Sequence, residues 1–129
     1  PLFELDGKKY RSVEHYFQIQ KYTIDPTDAT FRTWCGNHNV SVSDQVAINN
    51  QFCEKLLDLS PAAAAKRAQS ATYLPKRADW DEVRLGVMWD GLIAKFTQSD
   101  YLSEMLLGTG DRTLIERAPS DTWWGIDNN

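Results

Sequence analysis

Residues 12–21, Ser-Val-Glu-His-Tyr-Phe-Gln-Ile-Gln-Lys, interleave charged and apolar side chains in a way that a helix would sort into separate faces. In a helix, Glu14, Gln18 and Lys21 stand at positions i, i+4 and i+7 and form one polar line. Val13 and Phe17 then turn towards a core. On a protein surface such a line is an ordinary set of salt-bridging residues. In a pocket it supplies an acid, a base and a nucleophile on one rigid rod.

The rest of the chain predicts a mainly α, compact single-domain fold with a small β element near the N-terminus. Two short strands turned by Asp6-Gly7 come first, and Ser12 caps the first helix. Asp25-Pro26-Thr27-Asp28 ends that helix, Ser60-Pro61 is a strong start signal, and Asp79-Trp80-Asp81-Glu82 has a capping-box pattern. The predicted strands are 3–5 and 8–10, and the predicted helices are 12–22, 27–34 (ended by Gly36-Asn37), 43–58 (starting at Ser43 or Asp44), 61–70, 79–98 and 99–107; a last short piece, 113–116, precedes an irregular tail.

Composition limits the classes of function that fit this chain. With 129 residues, 42% hydrophobic and 25% charged, it predicts one globular domain over residues 1–129. The net charge of −4 argues against an electrostatic grip on long nucleic acid, although a site for one nucleotide needs only a few cations. No apolar run reaches the length of a membrane span and no signal-peptide pattern opens the chain, so we expect a cytoplasmic protein with no membrane partner.

Neither a metal nor a cofactor is predicted. Cys35 and Cys53 share no Cys-x-x-Cys spacing and no histidine at ligand distance, so we expect reduced thiols. His15 and His38 have no mutual spacing that suggests a metal site. We expect His15 to serve in packing or hydrogen bonding.

Glu14 and Lys21 are the candidates for chemistry. The alternative for Glu14 is an exposed surface acid. It lies in the first turn of its helix, where the amide dipoles are expected to lower its pKa, and it is flanked by His15, Tyr16 and Phe17. Lys21 shares its face. A lysine half buried among aromatic rings loses its proton more easily and can attack an electrophilic carbon.

Three further groups are candidate binding elements. The turn Leu107-Gly108-Thr109-Gly110-Asp111 has exposed amides that can hold a phosphate oxygen, although most such turns simply end a helix. A basic zone around Trp80 is either a solvated surface or a binding site for a diphosphate. It comprises Lys66, Arg67, Lys76, Arg77 and Arg84. Asp121 and Trp124 lie in a predicted irregular tail, where Asp121 would offer a second carboxylate opposite Glu14.

Several motifs occur together in the order of a known family. They are residues 12–21, Asp79-Trp80, Met88 with Lys95-Phe96, the block from Leu106 to Asp111 with Leu114 and Glu116, and Asp121-x-x-Trp124-Gly125. In this order they resemble the NADAR domain, the YbiA-like N-glycosidases, from about Gly7 to Asn129. Compared with that family, the chain is expected to be shortened at both ends, and it has Lys66-Arg67 in place of a usual Gly-Arg.

The resemblance implies cleavage of an N-glycosidic bond to a phosphate-bearing ribose. Implied substrates are riboflavin-pathway intermediates, or guanine bases carrying ADP-ribose. Glu14, Lys21 and Asp121 would be catalytic. Residues that bind substrate would be Tyr16, Gln18, Trp80, Trp124, Gly110 and Asp111. Trp80 would stack on a base or wall the pocket.

The alternative function is a catalytically silent module that binds ADP-ribose or a related nucleotide. A third possibility, a purely structural domain, would leave the aromatic residues as core. The expected partner is ADP-ribose or a ribosyl phosphate, or ADP-ribosylated nucleic acid presenting a single exposed base. The sequence indicates no oligomeric state.

Overall fold

The computed structural model of the protein describes residues 2–99. It has a two-stranded sheet followed by five helices, and this confirms the predicted mainly α fold with a small β element at the N-terminus. The elements are β1 (Phe3–Leu5), β2 (Lys8–Tyr10), α1 (Val13–Lys21), α2 (Ala29–Asn37), α3 (Val42–Leu56), α4 (Pro61–Ser70) and α5 (Trp80–Gln98). The predicted helix at 99–107 and the predicted short piece at 113–116 lie outside the described residues, apart from Ser99.

The β-hairpin forms where the Asp6-Gly7 dipeptide predicts it. Asp6 and Gly7 both have positive φ angles, 55° and 78°, which is the backbone of the tight turn that suits the twist of antiparallel strands. The register pairs Phe3 with Tyr10, and both side chains are buried. At the other edge of β1, the Gln98 side chain donates to and accepts from the backbone of Glu4, at 2.6 and 2.7 Å. The hairpin is therefore tied to the end of α5.

Helix α1 lies at the centre, packed against α3, α4, α5 and the hairpin. Seven of its nine residues are buried, from Val13 to Ile19. The Tyr22 hydroxyl, just beyond the helix, donates to the Ala68 carbonyl of α4 at 2.6 Å. The Asn49 side chain of α3 donates to the Tyr22 carbonyl at 3.0 Å. Because neighbours close on α1 from several directions, even polar residues of this helix are withdrawn from water.

Ser12 and Ser60 cap their helices as predicted, but two boundaries differ, the start of α3 and the end of α2. Helix α3 begins at Val42 with Ser41 as its N-cap, so the predicted start at Ser43 or Asp44 was wrong. Helix α2 continues through Gly36 to Asn37, and the left-handed residue after it is Asn39, with φ of 54°.

The capping box predicted at Asp79 does not form. The Asp79 side chain makes no capping hydrogen bond, because both its oxygens accept from Arg77, at 2.7 and 3.1 Å. A two-pronged bond to a guanidinium is stronger than a single neutral cap.

Helices α1 and α5 are tightly packed at Gly91. A Cβ atom added there would meet side-chain atoms of Val13 and Tyr16, each at 3.0 Å. Neither side chain has room to retreat, since Val13 is fully buried and the Tyr16 ring lies 5.1 Å from the Tyr10 ring. The absent side chain at position 91 is what allows the two helices to make contact.

Gly91→Ala should therefore destabilise the protein by about 1–2 kcal/mol, because the cost of overpacking exceeds the gain in helix propensity. Gly86 lies in the same helix, with nothing within 4 Å of its added Cβ. Gly86→Ala should stabilise by up to about 1 kcal/mol. Urea unfolding of the two variants beside the parent chain measures both changes. Equal stabilisation by both would contradict the close approach.

Candidate active site

Glu14 is buried in the first turn of α1, with 5% of its surface exposed. Burial raises the pKa of its carboxyl from 4.5 to about 7, and the hydrogen bond from Gln18 opposes that rise. The sequence-based expectation that the helix dipole would lower this pKa was therefore wrong in its net direction. At neutral pH the side chain exists as both acid and carboxylate.

Gln18 lies one turn further along α1 and is 2% exposed. Its Nε2 donates to Glu14 Oε2 at 2.8 Å. Its carbonyl oxygen, Oε1, is buried and has no hydrogen-bond partner among residues 2–99. An unpaired buried acceptor costs roughly 1–3 kcal/mol, so this oxygen needs an explanation.

Lys21 ends the same face of α1 and is half-buried. Burial is the main cause that lowers the pKa of its amine, and the positive charges of Lys76 and Arg84 lower it further, against Asp81. Its Nζ lies 5.5 Å from the centre of the Tyr22 ring. Seven helical residues separate Glu14 from Lys21, which is about 10 Å along the axis.

Trp80 is the first residue of α5 and is buried, with its ring 4.9 Å from the Phe17 ring of α1. The backbone just before it is also joined to α1, since Arg77 N donates to the Lys21 carbonyl at 3.0 Å. Trp80 is therefore packed against Phe17 of α1, and its role towards substrate stays a prediction.

Tyr16 is placed differently from the other predicted pocket residues. It is 3% exposed, and its ring packs edge-on to Tyr10 and lies 6.5 Å from Phe3. It also faces Gly91 of α5. In the described part of the chain Tyr16 belongs to the core between α1, α5 and the hairpin, while a contact with substrate stays a prediction.

His15 is fully buried and hydrogen-bonded, as expected for a packing residue. Its Nε2 lies 2.8 Å from the Leu59 carbonyl and its Nδ1 lies 2.7 Å from the Ser12 hydroxyl. Because a carbonyl only accepts, Nε2 must carry a proton. Burial lowers the pKa of this imidazole, which favours the neutral ring, and in the neutral ring Nδ1 accepts from the Ser12 hydroxyl.

The predicted basic zone divides into separate groups. Arg67 lies over the Phe52 ring, and Arg77 forms an ion pair with Asp79 at 2.7 Å. Lys76 and Arg84 act electrostatically on Lys21. The sequence analysis missed two electrostatic interactions. One is the charge of Asp81, which raises the pKa of Lys21. The other is the Arg77–Asp79 ion pair, because the sequence gives no signal for a bond that competes with a helix cap.

A cavity of about 420 Å³ lies beyond the C-terminal end of α1. Arg77 of the predicted basic zone lines it, but none of Glu14, Gln18, Lys21 and Trp80 does. Its lining residues are Thr23, Ile24, Asp25, Asp28, Arg77, Ala78 and Asp79. The convergence of all predicted site residues on one pocket therefore stays a prediction.

The remaining predicted site residues, Gly110, Asp111, Asp121 and Trp124, lie outside the described residues. Within residues 2–99, no group of His, Cys, Asp or Glu side chains is arranged to hold a metal ion. Cys35 and Cys53 are both buried free thiols. Across the same part of the chain, every helix is too short or too polar to cross a bilayer.

The family model described as the NADAR domain matches residues 2–129. The chain belongs to the NADAR family. It is 28% identical over 126 residues to the N-glycosidase YbiA of Shigella boydii, covering 98% of this chain and 63% of that protein. An N-glycosidase of Nostoc punctiforme is 29% identical over 120 residues, covering 93% of this chain and 63% of the relative.

A third relative is a riboflavin biosynthesis protein of Vibrio vulnificus, 31% identical over 121 residues, covering 94% of this chain and 26% of the relative. The NADAR chain thus spans about 63% of the length of the relatives named N-glycosidase. No solved structure matches it.

The raised pKa of Glu14 makes stability depend on pH. The folded chain binds the Glu14 proton more tightly than the unfolded chain does. The resulting stabilisation is fully present below pH 4.5 and is lost as the pH rises through about 7. Glu14→Gln, which stays neutral, should therefore stabilise the protein at pH 8 by about 1–3 kcal/mol. This advantage should shrink by about 2 kcal/mol at pH 5.

Urea unfolding at the two pH values measures this dependence. Glu54→Gln, at an exposed acid of α3, is the control and should change stability by less than about 0.5 kcal/mol at either pH. A Glu14→Gln variant that is less stable than its parent at pH 8 would show that the carboxylate is favourably solvated.

Proposed function

We propose that this NADAR domain is an N-glycosidase that hydrolyses the C1′–N bond of a ribosyl-phosphate or ADP-ribosyl conjugate. The expected reaction is removal of ADP-ribose from guanine bases or cleavage of riboflavin-pathway intermediates. One observation carries the proposal: a buried carboxyl with a pKa of about 7 shares a helix face with an amine whose pKa is lowered. The names of the similar proteins agree with glycosidic chemistry.

Glu14 fits the demands of this bond cleavage. As the C1′–N bond breaks, the bonding electrons leave with the base and positive charge builds on the ribose. A carboxylate fixed in a site with little water stabilises that charge far more than it would in bulk solvent. With a pKa of about 7, Glu14 can also take a proton from an attacking water molecule.

Lys21 offers a covalent route. Its neutral amine would attack C1′ as the base departs, and opening of the ribose ring then gives a Schiff base that water hydrolyses. This route needs an appreciable fraction of neutral amine, and the pKa of Lys21 is shifted in that direction. The nearby charges of Lys76 and Arg84 would attract the phosphate of the same ligand.

Size and charge favour a small ligand or a single exposed base. The chain carries a net charge of −4, which would repel a long duplex, while the cations that act on Lys21 are local. No cofactor enters this mechanism, because water, carboxylates and an amine suffice.

Glu14→Gln should lower turnover by ~10²–10⁴-fold, because it removes the charge that stabilises C1′. The assay measures free ADP-ribose released from a guanine-ADP-ribosylated oligonucleotide, with riboflavin-pathway phosphoribosyl intermediates in parallel. Glu54→Gln is the control and should retain full activity. If the parent chain turns over neither substrate but binds ADP-ribose, the silent binding module is the better description.

Reduction with borohydride during turnover should attach the ribosyl group to Lys21, because the reagent reduces the Schiff base to a stable amine. Lys21→Arg keeps the positive charge without a nucleophilic amine, so it should abolish this adduct and lower turnover by ~10²-fold or more. Peptide mass spectrometry locates the adduct. Lys55→Arg, also in the last turn of its helix, is the control. Full activity in Lys21→Arg would rule out the covalent route.

A further inference from the structure

Only one of the two polar atoms of the Gln18 amide has a hydrogen-bond partner among the described residues. Its Nε2 is bonded to Glu14 Oε2 at 2.8 Å, while its Oε1 is buried and unpaired among the described residues. Helix α3 contains a matched case, since Gln45 is also buried and its Nε2 donates to Asn49 Oδ1 at 2.9 Å. Of the two glutamines, only Gln18 carries a buried oxygen without a donor within residues 2–99.

The free atom is the carbonyl oxygen and not the amide nitrogen. If the amide were turned over, its oxygen would face the Glu14 carboxylate, and two acceptors would repel each other. While Glu14 is ionised, the amide is therefore held with Nε2 on the carboxylate. Oε1 then points away from Glu14 as a fixed hydrogen-bond acceptor. It lies close to the carboxylate, because Oε1 and the bonded Nε2 belong to the same amide group.

An acceptor in this position is suited to a donor on the ligand. If Glu14 faces C1′, as the proposed function requires, the ligand group at Gln18 must lie close to C1′. The ring oxygen is an acceptor only, and the glycosidic nitrogen needs a proton of its own as it leaves. The hydroxyl on the neighbouring carbon is a donor that stays on the sugar throughout the reaction. Hydrogen bonds to this hydroxyl strengthen in glycosidase transition states.

We therefore propose that Gln18 Oε1 accepts a hydrogen bond from the sugar 2-hydroxyl, so that Gln18 selects ribose over 2-deoxyribose. The inference rests on the proposed function for the position of C1′ near Glu14. A site that loses such a donor is left with an unpaired buried acceptor, which is why hydrogen-bonding sites reject deoxy analogues strongly.

The probes are ADP-ribose and its analogue that lacks the 2-hydroxyl of the terminal ribose, and calorimetry measures their affinities. The parent chain should bind the deoxy analogue about 5- to 100-fold more weakly. Gln18→Met keeps the volume but removes the acceptor, so its two affinities should differ by less than about threefold. Gln45→Met is the matched control and should discriminate as the parent does.

Gln18→Glu is the second variant, measured at pH 5, where the two carboxyl groups at positions 14 and 18 share one proton and an oxygen of residue 18 remains able to accept, so it should restore discrimination. This comparison separates ligand recognition from a structural role, since loss of packing would weaken both ligands equally. An equal preference in the parent and in Gln18→Met would overturn the inference, and so would a parent chain that binds neither probe.

The turnover assay is read separately from the affinities. Discrimination without release of ADP-ribose would support the role of Gln18 while removing the proposed enzymatic function. Turnover without discrimination would leave the function and remove the role of Gln18.

Discussion

Burial of α1 is the constraint on which the rest of this structure depends. A helix of nine residues normally keeps one face in water, but here seven of the nine residues are buried. Contacts at Gly91 bring α5 against it, the Tyr22 hydroxyl ties it to α4, and Asn49 ties it to α3. The helix therefore supplies the centre of the core and the polar line together, and the packing that stabilises the fold also removes water from Glu14.

The size of two opposing effects explains the pKa of Glu14. The helix N-terminus favours a negative charge by about 0.3–1 kcal/mol, which is less than one pKa unit. Burial acts in the opposite direction and wins, because the pKa rises from 4.5 to about 7 in spite of the hydrogen bond from Gln18. The free energy lost when water is removed from a carboxylate is larger than the stabilisation that one partly screened helix dipole provides. The acid is therefore poised between its two forms near neutral pH, at some expense in stability.

The sequence predicted those elements whose signals are local. Asp6-Gly7 gave the hairpin, and Ser60-Pro61 gave the start of α4, because each needs only the backbone preferences of its own residues. Local signals failed to predict the N-cap where several residues could fill that position or bond to it. Ser41 is the N-cap where Ser43 and Asp44 offered similar side chains, and the bond from Arg77 diverts Asp79 from its expected capping role.

The sequence predicted which α1 residues form the candidate site, but it did not predict how deeply they are buried. Helical spacing alone put Glu14, Gln18 and Lys21 on one face. Their burial depends on α3, α4 and α5, which the spacing of α1 does not encode. The same limit applies to Tyr16, since its neighbours in the sequence do not reveal that Gly91, 75 positions later, would lie against its ring.

The spacing of Glu14 and Lys21 suits a shared role at the reacting centre of one ligand better than a salt bridge between the two side chains. Two helical turns put the two backbone positions about 10 Å apart along the axis, and the proposed mechanism has both side chains reach towards C1′ from these positions. Glu14 is not among the groups whose charge acts on the pKa of Lys21. Instead Lys76 and Arg84, near Lys21, favour loss of the proton. One rigid helix can therefore carry an acid whose pKa is raised and an amine whose pKa is lowered, because desolvation is the largest cause of both shifts.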